Sequence, residues 1–197
     1  MNDPGLFDVI YNCRAMRRLE AREVPEDLLV KLIDAANQAP SGSNLQNAVW
    51  IVVRDAGVRQ QLADLNRAGV TAYLGGERQR VDGLQHQSAD KRSRMLDAVE
   101  WQMEHMHEIP ALIVACMDFG VPVNDLMYAH GGGSVWPGIQ NLLLAARALE
   151  LGAAPTTLAL GNRAAVAETL GLPETMAAYC LIPVGYPLGN FGPVKRK

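Results

Sequence analysis

Cysteine is too scarce and too scattered to build a disulfide framework. Cys13, Cys116 and Cys180 are odd in number and far apart, and none belongs to a C-x-x-C pair. Such spacing fits reduced thiols in a cytoplasm better than cross-links or a zinc site. Aromatic residues make up only 6% of the chain and do not interleave with basic ones, and the net charge is -3. That combination argues against a nucleic-acid partner. No apolar run reaches the roughly 18 residues of a membrane span, and no leader-like n-region and h-region precede the first basic residues. Neither membrane insertion nor secretion is expected. G-x-G-x-x-G and Walker motifs are both missing, so no separate dinucleotide or triphosphate unit is visible. His105 and His107 are two residues apart and cannot share a helix face. Without an acid or thiol at metal spacing beside them, no metal site is expected.

What is present is ordinary globular material. Of 197 residues, 49% are hydrophobic and 20% charged, enough for one full-sized core. Residues 6–12 read as a short helix. Val24-Pro25-Glu26-Asp27 starts another, with proline in the first turn and acids beside the positive end of the dipole. Leu28, Leu29, Leu32, Ile33 and Ala36 continue it as one buried face, and Ala39-Pro40 ends it. Core strands are predicted over 48–53, 111–117 and 178–185 from β-branched and apolar runs. Residues 58–68 read as a surface helix. Residues 68–91, with four glycines and mixed charge, show no period and read as a mobile, substrate-contacting lid. Residues 92–107 read as a helix whose stripe of Met95, Val99, Met103 and Met106 suits core filling or a subunit contact. Gly131-Gly132-Gly133 introduces an apolar helix over 134–149. That helix is apolar nearly all round, which suits a domain centre or a dimer interface. A short helix runs from Asn162, a side-chain N-cap, to Leu170 and closes at Gly171. With no repeat, linker or hairpin signal, residues 1–197 read as a single α+β domain.

The chemistry-bearing pattern is a pair of basic clusters near the two ends. Arg14-Ala15-Met16-Arg17-Arg18 places three guanidiniums within five residues. They repel one another and invite an anion, and the planar fork of arginine matches a phosphate. Lys195-Arg196-Lys197 follows a Gly/Pro-rich approach at the far end. Between them, Ser41-Gly42-Ser43-Asn44 forms a polar loop just before a core strand, a good position from which to hold a ligand.

Four segments in order resemble the FMN-dependent nitroreductase family: R-A-M-R-R, A-P-S-G-S-N-L-Q, Q-N-L-L-L-A-A-R-A-L with G-A-A-P-T-T, and P-V-G-Y-P with the K-R-K ending. The resemblance implies a mixed sheet of four or five strands wrapped by helices and an intimate homodimer with FMN at the interface. It places Arg14, Ala15, Met16, Arg17 and Arg18 of the first cluster, and Arg196 of the last, against the FMN phosphate and pyrimidine edge. Ser41, Ser43 and Asn44 match the loop that meets the flavin from the partner subunit or ribityl side. Pro155, Thr156 and Thr157 match the segment near flavin N5.

The activity implied is ping-pong hydride transfer from NADH or NADPH through FMN to an electron-poor small molecule, such as a nitro compound, a quinone or an enone. It needs no acid–base triad, and none is visible. Arg17 is the candidate cation near N1–O2 (Arg18 the second choice), and Thr157 or Thr156 the candidate hydroxyl donor to N5. Two other readings are a reductive dehalogenase-like member of the family and a flavin-storing or flavin-sensing protein without turnover. Residues 68–91 carry no clear Tyr-Glu-Lys set for a zwitterion, which gives the former no support. One departure is plain: where the family usually begins Arg-Arg-Ser, this chain has Cys13 and Ala15 in place of the first Arg and the Ser.

Overall fold

The computed structural model of the chain describes residues 4–82 and 88–193. In order, its elements are α1 (Leu6–Asn12), α2 (Glu26–Asn37), β1 (Ala48–Val53), α3 (Ala56–Asp82), α4 (Ala89–His105), β2 (Ala111–Asp118), α5 (Asp125–Ala148), β3 (Gly152–Ala153), α6 (Arg163–Leu170) and β4 (Met176–Gly185). The four strands form one sheet in the order β1-β2-β4-β3. Every ladder among the described residues is antiparallel, so the mixed pairing expected from the resemblance is not found there.

The long apolar runs of β2 and β4 take the two central places because helices cover both faces of the sheet. Alternate residues of a strand point to opposite sides. Ile113, Ala115 and Met117 therefore meet Leu29 and Leu32 of α2 and Ile139 and Leu142 of α5. Leu112, Val114 and Cys116 meet Leu62 of α3 and Val166 of α6 on the other side. Each fully buried aliphatic side chain contributes about 1.5–3 kcal/mol. The α2 face read from the sequence is the one buried, with Leu29, Leu32 and Ala36 innermost. Asn162 caps α6 by accepting from Ala165 N at 3.1 Å. Gly171, at φ 62°, closes it in the left-handed region.

Two stretches fold differently from the sequence expectation. Helix α3 does not stop near Ala68 but runs to Asp82, and α4 begins at Ala89 behind the Ser88 cap. The expected irregular lid is thus helical over 68–82 and 89–91, while 83–87 lie outside the described residues. Tertiary packing outweighs propensity here. A Cβ on Gly69 would overlap the carbonyl of Leu158, so glycine is what lets α3 lie that close. The second stretch is the glycine triplet, which lies inside α5. The helix starts at Asp125, where the Asn124 side chain accepts from Met127 N at 2.9 Å. Gly131 abuts the Tyr179 hydroxyl and the Phe119 ring, leaving no room for a side chain. Nor is α5 buried all round within one chain: Trp136 on its outer side is 43% exposed. Strand β3, only two residues long, falls in a stretch to which the sequence assigns no element.

Cys116 and Cys180 are fully buried, and burial pushes both thiols from 9.0 up to about 12. Tyr179 is pushed from 10.0 up to about 12, first by burial and then by Tyr128. With folded values raised, the unfolded chain releases these protons first. The stabilisation is whole below about pH 9 and is lost as pH climbs towards 12. Urea unfolding midpoints should therefore hold steady up to about pH 9 and fall steeply beyond it. A midpoint flat to about pH 11 would contradict the burial of these groups.

Candidate functional site

Beyond α1 the chain becomes extended and is zipped against the edge of the sheet. Met16 N donates to Ala153 O at 3.0 Å, Glu20 N to Tyr186 O at 2.8 Å, and Leu188 N to Arg18 O at 3.0 Å. Met16 and Leu19 turn inward onto Ile109 and Phe191. Their neighbours Arg14, Ala15 and Arg18 are left exposed and Arg17 half-buried. Met16, expected among the cofactor contacts, thus places its side chain in the core and anchors the strand instead. The close fit depends on Gly152, where a Cβ would stand 2.5 Å from Leu19 Cδ2 and 3.0 Å from Met16 Cβ.

Arg14 Nη2 donates to the carbonyl of Asn190 at 2.8 Å, tying the arginine strand to the returning C-terminal segment. Arg17 is the desolvated member of the set. Burial holds its pKa below the usual 12.5, with Tyr73 of α3 acting in the opposite direction. Among the described residues, none of these three guanidiniums pairs with a carboxylate. Three arginines with no carboxylate partner among the described residues, one of them partly stripped of water, leave their donors open to an anion.

One face of α3 backs this strand and the Pro155–Thr157 turn together. Asn66, 1% exposed, accepts from Thr156 Oγ1 at 3.1 Å. Gly69 abuts Leu158, and Tyr73 lies at Arg17. From Asn66 to Tyr73 the helix rises about 10 Å, which sets the scale separating Thr156 from Arg17. Thr156 is further fixed by exchanging both backbone hydrogen bonds with Leu181, at 2.8 and 2.9 Å. Its hydroxyl proton is directed to Asn66, whereas Thr157 is exposed and its hydroxyl makes no hydrogen bond among the described residues. Of the two threonines, Thr157 is the one able to donate outward. Pro155 is half-buried beside them.

The serine loop lies elsewhere. Ser41 Oγ accepts from Gln46 N, and Gly42 N donates to Ser134 Oγ of α5, each at 3.0 Å. Ser43, Asn44 and Gln46 all have positive φ, near 51–55°. Three such non-glycine residues in one short loop hold strain that the surroundings must fix, a pattern found at ligand sites. A cleft of about 240 Å³ opens beside it, lined by Ser41, Gln46, Asn37, Trp50 and Ser134. The structure does not bring this loop to the arginine strand. The loop meets α5 at Ser134, whereas Cys13 Sγ approaches Leu143 O at 3.6 Å. The two positions are nine residues apart along the helix, a rise of about 14 Å. Arg196 lies outside the described residues. Asn66, Tyr73 and Arg147 near these groups were not singled out from the sequence. Only Arg147, a lone cation in an apolar helix, carried any signal.

A model of the nitroreductase family matches residues 10–186. The chain belongs to that family. The matched span holds the arginine strand, the serine loop and the threonine turn. Among curated proteins, the chain is 25% identical over 183 residues to an iodotyrosine deiodinase of Thermotoga neapolitana, covering 92% of this chain and 88% of that one. It is 26% identical over 195 residues to a provisionally named NADH dehydrogenase/NAD(P)H nitroreductase of Methanothermobacter thermautotrophicus, covering 95% and 80%. Among solved structures it resembles an oxidised iodotyrosine deiodinase bound to FMN and 3-iodo-L-tyrosine. The TM-score is 0.74 at 22% identity, covering 98% of this chain and 95% of that one. The nitroreductase-like fold is thereby established. No helix among the described residues is long and apolar enough to cross a membrane.

Proposed function

We propose that this nitroreductase-family protein is an FMN-dependent oxidoreductase that draws hydride from NADH or NADPH and passes it to an electron-poor small molecule. The observation carrying this reading is the strand of three arginines, pinned to the sheet edge and unpaired with any carboxylate among the described residues. Such a cradle fits a phosphomonoester of charge about -1.5 to -2. Family membership and the FMN-bound deiodinase of like fold support it. When bound, FMN supplies a two-electron carrier, so the protein needs no nucleophile of its own.

Arg14 and Arg18 hold the phosphate. Arg17, half-buried and always charged, offers positive charge to the flavin edge where negative charge accumulates on reduction. Thr157 presents a hydroxyl proton, while Thr156 keeps the turn in place through Asn66. Arg196 belongs to the same phosphate set on the strength of the sequence resemblance. Ala15 contributes its backbone alone.

The two half-sites, about 14 Å apart on α5, support a homodimer in which the Ser41, Ser43 and Asn44 loop of one copy completes the arginine site of the other. A cytoplasmic setting agrees with its free thiols.

The test is a visible spectrum of purified protein before and after anaerobic NADH and NADPH, followed by nitro, quinone and enone acceptors and by 3-iodotyrosine. A flavin that bleaches with either nucleotide and is reoxidised by an electron-poor acceptor is the expected result. Deiodination without acceptor reduction would favour the dehalogenase reading, which the Thermotoga relative keeps in view. A bound flavin that neither nucleotide reduces would favour storage or sensing. Failure to bind FMN at all would overturn the proposal.

A further inference from the structure

We infer that Arg147 of α5 is a further cation of the phosphomonoester site. The inference rests on the FMN reading above and concerns a residue to which the resemblance assigns no cofactor contact. The Arg147 guanidinium lies over the Phe191 ring at 4.3 Å. Phe191 packs on Met16 and Leu19 of the arginine strand. The preceding residue, Asn190, takes the Arg14 hydrogen bond at 2.8 Å. Arg14 and Arg147 therefore stand at adjacent residues of the same returning segment.

Cys13, next to Arg14 in the chain, also feels the charge of Arg147. Its sulfur approaches the carbonyl of Leu143, one turn before Arg147 on the same face of α5. Burial raises the Cys13 thiol although Arg147 pulls the other way, so the sulfur stays protonated and offers Arg147 no counter-charge.

No carboxylate among the described residues answers this cation. The Arg147 Nε is buried without a hydrogen bond. Its Nη groups make no hydrogen bond among the described residues. A cation–π contact steers the guanidinium but leaves those N–H donors free. A fourth arginine beside three unpaired ones is repelled by them unless an anion is shared. Position 13, where the resemblance implies an arginine, holds a neutral thiol, and Arg147 returns a positive charge to that place from another element.

The test compares dissociation constants of FMN and of riboflavin, which lacks the phosphate, for flavin-stripped wild type and Arg147→Met. Methionine keeps an apolar stem on Phe191. The expected result is FMN binding weakened about 10- to 100-fold with riboflavin binding unchanged. Arg147→Lys should fall between, keeping the charge without the fork. If the methionine variant fails to fold, Arg147→Gln supplies the uncharged arm of the same comparison. Equal weakening of both flavins would assign Arg147 to packing and overturn the inference, as would an unchanged preference for FMN. A wild type that binds FMN no better than riboflavin, or binds neither, would remove the phosphate reading itself. That failure is distinct, because it shows before any substitution is made.

Discussion

Gly69→Ala should lower the melting temperature by about 4–8 °C, while Gly75→Ala in the same helix should raise it by about 2–4 °C. The two positions differ in what lies outside them. A Cβ at 69 would overlap the backbone of Leu158, whereas at 75 nothing stands within 4 Å. Backbone cannot swing aside as a side-chain tip can, so overpacking there costs about 3 kcal/mol. The better helix propensity of alanine offsets about 1 kcal/mol of it. At Gly75 only the propensity gain remains. For a chain of this size each kcal/mol moves the midpoint by about 2–4 °C. Thermal melts of the two flavin-free variants check the opposite signs. FMN affinity should fall at 69 and hold at 75, because Leu158 follows the Thr156–Thr157 turn. Similar shifts for both glycines would mean that α3 does not press on Leu158.

This contact also shows where sequence reading reaches its limit. α1, α2, β1 and the Asn162 and Gly171 caps are written in local signals: apolar spacing, a proline and acids in a first turn, an amide oxygen, a left-handed glycine. Residues 68–82 offer the opposite signals, glycines and scattered charge, and become helix because α3 packs on distant residues. The triplet Gly131–Gly133 misleads for the same reason: its partners, Tyr179 and Phe119, are remote in sequence or lie beyond the helix start. The proposed anion site is legible as charge, since three arginines in five residues need no fold to be noticed. Its supports are not. Asn66, Tyr73 and Arg147 come near the arginine strand only through folding; Asn66 and Tyr73 look like ordinary helical residues in the chain, and Arg147 stands out only as a lone cation in an apolar helix. The gap of about 14 Å between half-sites is likewise a property of α5 and not of the motifs it connects.

Arg17→Met should slow flavin reduction by NADH or NADPH about 10²-fold or more while FMN remains bound through the outer arginines. Removing one preorganised donor from a charge that develops during reaction costs on this order. Burial makes Arg17 effective. Its pKa is depressed by desolvation, yet a guanidinium stays ionised at any working pH. The positive charge therefore acts through protein rather than through water. The same substitution should leave the flavin-free protein at least as stable as wild type, since it removes a desolvated cation from a group of like charges. Stopped-flow reduction and apoprotein melts separate the two effects. Unchanged reduction kinetics with FMN retained would remove Arg17 from its assigned role. A large loss of apoprotein stability would make it a structural residue instead.

Strand β3 has a second meaning. It is the outermost strand of the sheet and two residues long, and beyond it lies the stretch whose Met16 N bonds Ala153 O. A sheet edge left open invites pairing with another chain, and charged residues just outside such an edge discourage it. The arginine strand closes this edge and carries its charges outward. Colloidal behaviour and the proposed anion recognition are thus coupled through one short segment. A substitution that loosened it from Gly152 would be felt first as turbidity at high concentration, before any assay of turnover registered the change.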